Sequence, residues 1–296
     1  MDDPAGSGTL TGHGAADATD AADAALAIPA DLDATLVLVR HGESELIVQR
    51  RFQGRAESPL SSTGRRQAEL VAGRLARPHD RPALPVPTGP PLAISHSPLG
   101  RAAETASSIG RAIGAPAPLG FGVTVPLRAD SRFLEIGQGD WEGRLASEIA
   151  ATDGARLAAW RRTPTRVWAP DGERLADVRT RVASGLADLL VDLAAAGRPG
   201  SIAAPQVAGY GDAIPQHPWT ILVGHDGVFK VVLLTVFGLA LERFWMWSSD
   251  LCGITIIEFR AGRPVLRAMN LAEHLAVLMD EASQVERETR VRSGGL

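Results

Sequence analysis

Arg40-His41-Gly42-Glu43 follows directly on Thr35 to Val39, a short β-branched and apolar run. Such a run suits a strand covered on both faces, and the residues just past its carboxyl end stand where a parallel sheet opens its ligand crevice. A neutral imidazole, with an ordinary pKa of about 6.5, is a competent nucleophile near pH 7 without a metal to activate it. Gly42 takes away the side chain that would obstruct a phosphate's approach to the backbone. A second histidine, in Gly224-His225-Asp226-Gly227, ends another apolar run, Trp219 to Val223. Between the two lies Ser97 to Thr105, which follows a third run, Pro91 to Ser95, and opens a helical pattern. Arg101 falls in its first turn, where a planar guanidinium can grip phosphate oxygens and the helix terminus adds positive potential. Each signal is weak alone, but in this order and context they describe a site for an anionic group.

The elements that must hold these residues are readable from periodicity. Helical spacing appears at Ala68, Val71 and Leu75, at Ala102, Ala106, Ile109 and Ile113, and at Leu175, Val178, Val182, Leu186 and Leu189. Strands alternating with such helices predict an α/β fold, a three-layer α/β/α sandwich on a mostly parallel central sheet. Ile254 to Phe259 and Val265 to Met269 read as a closing hairpin whose turn is Ala-Gly-Arg-Pro, and Val228 to Leu241 as a buried helix. The catalytic domain is expected over 34–280. Residues 1–33, rich in Ala, Asp, Gly and Thr without a sustained apolar period, are expected as an unstructured tail, and 281–296 as a second tail. Segments near 78–91 and 195–218, rich in Pro, Gly and Ala, read as surface excursions.

Composition narrows the function classes. Apolar residues at 45% and charged residues at 22% fit a chain able to bury a sizeable core. The net charge of -4 argues against a surface that neutralises nucleic acid. The apolar stretch 228–241 carries Lys230 and is shorter than the roughly 20 residues a membrane helix needs. Met-Asp-Asp opens the chain without a basic and apolar leader, and one cysteine, Cys252, permits no internal disulfide. The expectation is a cytoplasmic protein that binds neither nucleic acid nor membrane. Its seven histidines include no compact ligand pair such as His-x-x-x-His, so neither a metal nor another cofactor is expected.

The combination of Arg40-His41-Gly42-Glu43, Ser97-Pro98-Leu99 with Arg101-Ala102 and Glu104-Thr105, and Gly224-His225-Asp226-Gly227 resembles the histidine phosphatase superfamily, also called phosphoglycerate mutase-like. The resemblance spans roughly residues 35–275. Leu134-Glu135-Ile136 with Gly139-Asp140-Trp141-Glu142-Gly143 is similar to the segment holding that family's proton donor, and Asn270 with His274-Leu275 to its C-terminal strand ending. The resemblance implies that His41 becomes a phosphohistidine, that Arg40, Arg101 and His225 surround the phosphoryl oxygens as three cationic donors, and that Glu135 is the general acid, with a raised pKa. Arg51-Phe52-Gln53-Gly54 also matches the family. Where the family carries a polar residue touching phosphate the chain has Ile47, so Gln53 is expected to compensate in part. His96 and Arg174 replace two family serines. His274 reads as a packing residue.

Trp141, Trp160 and Trp168 cluster in sequence with Arg156, Arg161, Arg162 and Arg166. They read either as a helical hairpin whose tryptophans cover the core, or as a cap in which Trp141, Trp160, Arg161 and Trp168 touch the substrate. The resemblance implies a metal-independent hydrolase of a small phosphorylated metabolite, of the histidine acid phosphatase type. A cofactor-dependent phosphoglycerate mutase and a silent phospho-ligand binding module are the alternatives. The ending Gly139 to Gly143 looks like phosphatase members, since mutases typically carry Glu-Arg-His-Tyr-Gly there. Retention of His41, Glu135 and the arginines argues against a silent module. Homodimers are common among similar proteins, though no feature of this sequence establishes one.

Overall fold

The computed structural model describes residues 26–197 and 216–278. Within them the chain forms β1 (Ala34–Arg40), α1 (Glu45–Val48), α2 (Ser62–Ala76), β2 (Ile94–His96), α3 (Gly100–Gly114), β3 (Leu127–Ala129), α4 (Ala146–Arg162), α5 (Leu175–Ala196), β4 (Trp219–Gly224), α6 (Asp226–Val236), β5 (Ile254–Arg260) and β6 (Arg263–Leu271). The six strands lie in the order β3-β2-β4-β1-β5-β6. β3, β2, β4 and β1 pair in parallel, and β5 and β6 close the sheet as an antiparallel hairpin.

Successive side chains of a strand point to opposite faces, and β1 uses this to serve two cores. Leu36 and Leu38 join Val178, Val182 and Leu186 of α5 and the apolar face of α6 on one side of the sheet. Val37 and Val39 join Val71 and Leu75 of α2 and Ala102, Ala106 and Ile109 of α3 on the other. All six residues from Ala34 to Val39 are buried, as a strand covered on both faces requires. The result is the three-layer α/β/α sandwich with a mostly parallel sheet.

Several local expectations change. Leu32 is buried and Leu26 and Ile28 pack against the α5–α6 core, so the chain is engaged eight residues before β1, inside the stretch expected as tail. The rest of that tail, most of the 195–218 excursion and the 281–296 tail lie outside the described residues. Leu84 and Val86 of the 78–91 excursion are buried in the α2–α3 core although the segment has no regular structure. The hairpin turn is the two residues Ala261 and Gly262, both at positive φ (46° and 71°), and Arg263 and Pro264 already belong to β6. Such a pair matches the twist of the flanking strands. The helix expected over 228–241 starts at Asp226 and stops at Val236, where Gly238 takes φ 61°, and Leu241–Met246 follows as a 3-10 turn.

α4 and the loops around it form a third cluster, in which Trp141, Ile149, Leu157, Trp160 and Ala169 are buried together. Asp153 breaks the helical geometry inside α4 (φ −137°) and its Oδ2 accepts the Trp141 indole N–H at 3.0 Å. Trp141 and Trp160 are therefore the core of this cap.

Candidate active site

The strand register brings the catalytic candidates to one level. Arg40 lies opposite Gly224, and the His41 N–H donates to the Gly224 carbonyl at 2.9 Å. The Ser97 N–H donates to the Val223 carbonyl, so β2 ends at the same height and hands the chain to α3 and Arg101. Arg40, His41, Gln53, Arg101 and Glu135 line one pocket together with Phe52, Gly54, Ile136, Gln138, Asp226, Gly227 and Phe244.

His41 is 2% exposed, and its Nδ1 lies 2.7 Å from the Gly42 carbonyl oxygen. A carbonyl only accepts, so the proton sits on Nδ1 and Nε2 carries the free lone pair. Burial, Arg101 and Arg40 together hold the pKa of His41 well below its ordinary 6.5, which keeps the ring neutral. Gly42 serves this arrangement in a way the sequence did not suggest. A Cβ there would run into the Gly64 carbonyl at the start of α2, and the Gly42 N–H is taken by Thr105 Oγ1 at 3.2 Å. Gly42 does not line the pocket; it seats the His41 loop on α2 and α3. Ser61 reinforces the seat, accepting the Gly64 N–H at the N-cap of α2 and donating to Glu43.

His225 is fully buried, 5.0 Å from His41 between ring centroids. Burial, Arg101, His41 and Arg40 drive its pKa well below 6.5. The expectation of three cationic donors is corrected here: in the free site two guanidiniums are charged, and His225 offers an N–H dipole. Arg101 is fully buried and donates to the carbonyls of Gly54 at 2.8 Å and Ala56 at 2.9 Å. Arg40 donates to the Ser249 carbonyl at 2.6 Å. What remains is notable for its chemistry: Arg40 Nε, Arg101 Nε and both ring nitrogens of His225 are buried without a hydrogen-bond partner. Buried polar groups left unpaired cost about 1–3 kcal/mol each, so two such guanidinium nitrogens on residues that line one pocket, with the His225 ring 5.0 Å from that of His41, are what an anion-binding site looks like.

Glu135 precedes the loop to α4 and reaches the N-terminus of α6. Its Oε1 accepts the N–H groups of Ile136 at 2.9 Å and Val228 at 3.0 Å, and Oε2 that of Gly227 at 3.3 Å. Burial raises its pKa above 4.5, assisted by the Asp226 charge and opposed by these N–H groups and by Arg101. A carboxyl whose pKa is raised, in the same pocket as a nucleophile, is suited to general-acid work.

Gln53 lines the pocket and accepts from Ser44 Oγ at 2.6 Å through Oε1, while Ile47 is not among the lining residues. Trp141, Trp160, Arg161 and Trp168, which the cap reading placed against the substrate, do not line the pocket either. Trp141 and Trp160 are buried at 0% and 3% in the cap core, Arg161 faces solvent, and Trp168 stacks under the Arg174 guanidinium at 4.7 Å. Sequence reasoning missed Phe244, whose place in Arg-Phe-Trp-Met-Trp gives only an aromatic cluster as a signal, and Gln138, three residues after Glu135. His96 contacts its neighbour's carbonyl at Ser97, and His274 the Cys252 carbonyl at 3.1 Å. Among the described residues no three His, Cys, Asp or Glu side chains gather to hold a metal ion, and no helix is long and apolar enough to cross a membrane.

The family model of the histidine phosphatase superfamily (branch 1) matches residues 36–196 and 206–272. Phosphoserine phosphatase 1 of Hydrogenobacter thermophilus is 27% identical over 250 residues, covering 83% of this chain and 97% of its own. Glucosyl-3-phosphoglycerate phosphatase of Mycolicibacterium vanbaalenii is 31% identical over 210 residues, covering 71% of this chain and 76% of its own. Among solved structures, Bacillus stearothermophilus YhfR matches with a TM-score of 0.63 at 26% identity, covering 82% of this chain and 99% of its own. A mycobacterial glucosyl-3-phosphoglycerate phosphatase in complex with VO3 matches at 0.60 and 28% identity, covering 80% and 99%.

Proposed function

Because the chain belongs to branch 1 of the histidine phosphatase superfamily, we propose that it is a metal-independent phosphomonoesterase that works through a phosphohistidine at His41. The observation that carries this reading is the convergence of a lone-pair-bearing His41 Nε2 with four unpartnered buried nitrogens of Arg40, Arg101 and His225. The substrate class is a small phosphorylated metabolite, the kind of molecule named for the phosphoserine and glucosyl-3-phosphoglycerate phosphatases it resembles. Cys252, buried and free, suits a reducing, cytoplasmic setting.

In the first step His41 Nε2 attacks phosphorus in line with the ester oxygen. The P–O bond breaks, and the leaving oxygen takes the proton of Glu135. Oε1 holds the two shorter backbone bonds, so Oε2 is the oxygen that carries that proton. The ring becomes cationic on phosphorylation, and its Nδ1–H to the Gly42 carbonyl stabilises the charge. In the second step Glu135, now a carboxylate, takes a proton from water as the water oxygen displaces His41, and inorganic phosphate leaves. Phosphoryl transfer of this kind asks the protein mainly for positioning and fixed positive charge, which Arg40 and Arg101 supply. His225 adds a neutral hydrogen-bond donor to the same oxygens.

The test is phosphate release from a panel of phosphomonoesters in the presence of chelator, beside an assay for interconversion of 3- and 2-phosphoglycerate. Release without metal, lost in His41→Ala with the melting curve retained, is expected. Isomerisation without net release would assign the mutase reading, and turnover by His41→Ala would remove the mechanism.

A further inference from the structure

Lys230 and Asp226 form an ion pair one turn apart on α6, Nζ to Oδ2 at 2.6 Å, with side chains only 5% and 8% exposed. The ammonium also lies 4.9 Å from the Trp245 ring centroid and 5.4 Å from that of Phe244. A buried pair of this kind is seldom better for stability than apolar residues of the same volume, because desolvation offsets the attraction. Its position suggests what else it does. Asp226 follows His225 directly and lines the pocket. Its second oxygen, Oδ1, accepts the Ser249 N–H at 2.9 Å, and the Ser249 carbonyl accepts Arg40 Nη1 at 2.6 Å. Among the described residues that carbonyl is the one hydrogen-bond partner found for the Arg40 guanidinium, whose buried Nε has none.

A continuous relay therefore runs from Lys230 through Asp226 and the Ser249 peptide to Arg40. Residues 247–250 have no regular secondary structure, so the Ser249 backbone is not anchored by a helix or a sheet ladder. The Asp226 carboxylate supplies an anchor, and the Lys230 ammonium, 2.6 Å from its Oδ2, holds that carboxylate in place.

We propose that Asp226, neutralised by Lys230, is a positioning residue for Arg40: by fixing the Ser249 backbone it sets how the guanidinium meets a phosphoryl group. This rests on the reading of Arg40 as a phosphate-binding residue. It assigns Asp226 no contact with the reacting atoms, and it gives the relay a purpose beyond holding the fold.

The experiment measures the Kd of inorganic phosphate by calorimetry on the full chain, so that no turnover is needed. Removing one charged side chain alone would strand the other, so the pair is replaced together. Asp226→Leu with Lys230→Met fills the space with apolar groups and removes the acceptor. It should weaken phosphate about tenfold, the worth of one charge-assisted hydrogen bond to Arg40 put out of line. Asp226→Asn with Lys230→Met retains an oxygen for the Ser249 N–H and should recover binding to within about threefold of wild type. In an Arg40→Ala background the Leu/Met pair should have no further effect, because the residue it acts through is gone. Unchanged Kd in the folded Leu/Met variant, an equally weak Asn/Met variant, or a tenfold loss that persists without Arg40 would each overturn the proposal. Should the Leu/Met variant fail to fold by circular dichroism, Ser249→Pro removes the same N–H and faces the same two criteria, the tenfold loss and its dependence on Arg40. A wild-type chain that does not bind phosphate would overturn the site reading together with this one, whereas binding that ignores the relay sinks the relay alone.

Discussion

Gly227→Ala is a sharp probe of the acid half of the chemistry. Gly227 is the second residue of α6, and a Cβ built there would stand 2.6 Å from Glu135 Oε1, 3.0 Å from Ile136 Cδ1 and 3.3 Å from Glu135 Cδ. Ordinary contact begins at 3.4 Å, so the carboxyl must retreat by about 0.8 Å. It cannot do so freely, because Oε1 is held by the N–H groups of Ile136 and Val228. Misplacing a reacting group by about 1 Å can cost about 100-fold, and general-acid catalysis is typically worth about 10²–10⁴-fold. We therefore expect kcat/KM, which reports the steps through loss of the leaving group and not the later water step, to fall by about 30- to 100-fold on an alkyl phosphate, whose alkoxide needs the proton. On p-nitrophenyl phosphate, whose nitrophenolate leaves without one, the fall should stay within about fivefold. Phosphate affinity should hold, since His41, Arg40 and Arg101 do not touch the new methyl group. The assay is steady-state phosphate release on both substrates, with a phosphate Kd and a melting curve as controls. Equal losses on the two substrates would refute the reasoning that Glu135 is the proton donor and Gly227 its spacer.

Glu135→Gln should lower kcat on alkyl phosphates by about 10²–10⁴-fold. The wild-type profile should fall as pH rises through the elevated pKa of Glu135, and that alkaline limb should be absent in the variant; its survival would assign the limb to another group. His41 and His225 are held neutral, so the unfolded chain binds more protons than the folded one below the ordinary histidine pKa. Their contribution to stability is present above about pH 6.5 and is lost as pH falls toward their depressed values, so the melting temperature of wild type should drop through this window more steeply than that of His225→Gln, a comparison calorimetry can make. Trp160→Ala empties the cap core and should cost about 3–5 kcal/mol of stability by denaturant titration while the KM of the folded enzyme changes less than about threefold. A large KM change would return Trp160 to the substrate.

How much of this was legible in the sequence follows from which residues carry their own context. His41 and His225 each end an apolar run that can only be an inner strand, and Arg101 opens a helix after a third, so short-range pattern places all three at one sheet edge. Trp141 and Trp160 show the limit, since an aromatic residue on a helix reads the same whether it faces a core or a ligand. The Asp153 break that turns Trp141 inward is a tertiary choice with no periodic signature. Phe244 reaches the pocket from a 3-10 turn that propensity does not mark. The three exposed residues of β3 carry no alternation, so this edge strand had no pattern to find. Gly42 was identified correctly as constrained and misread as to why, because the Gly64 carbonyl that forbids a side chain lies 22 positions away in the chain.

The double duty of β1 has a consequence for motion. Leu36 and Leu38 are locked into one core and Val37 and Val39 into the other, and the strand is paired on both edges, with β4 and β5. No partial opening can release that strand while leaving either layer intact, so its amides should exchange with deuterated solvent only when the whole domain unfolds. His41, one peptide beyond β1 and bonded to β4, inherits this: the nucleophile is mounted on a strand expected to exchange slowly, and the entry and departure of substrate must be accommodated by residues on the surrounding loops that line the pocket, such as Phe52, Gln138 and Phe244.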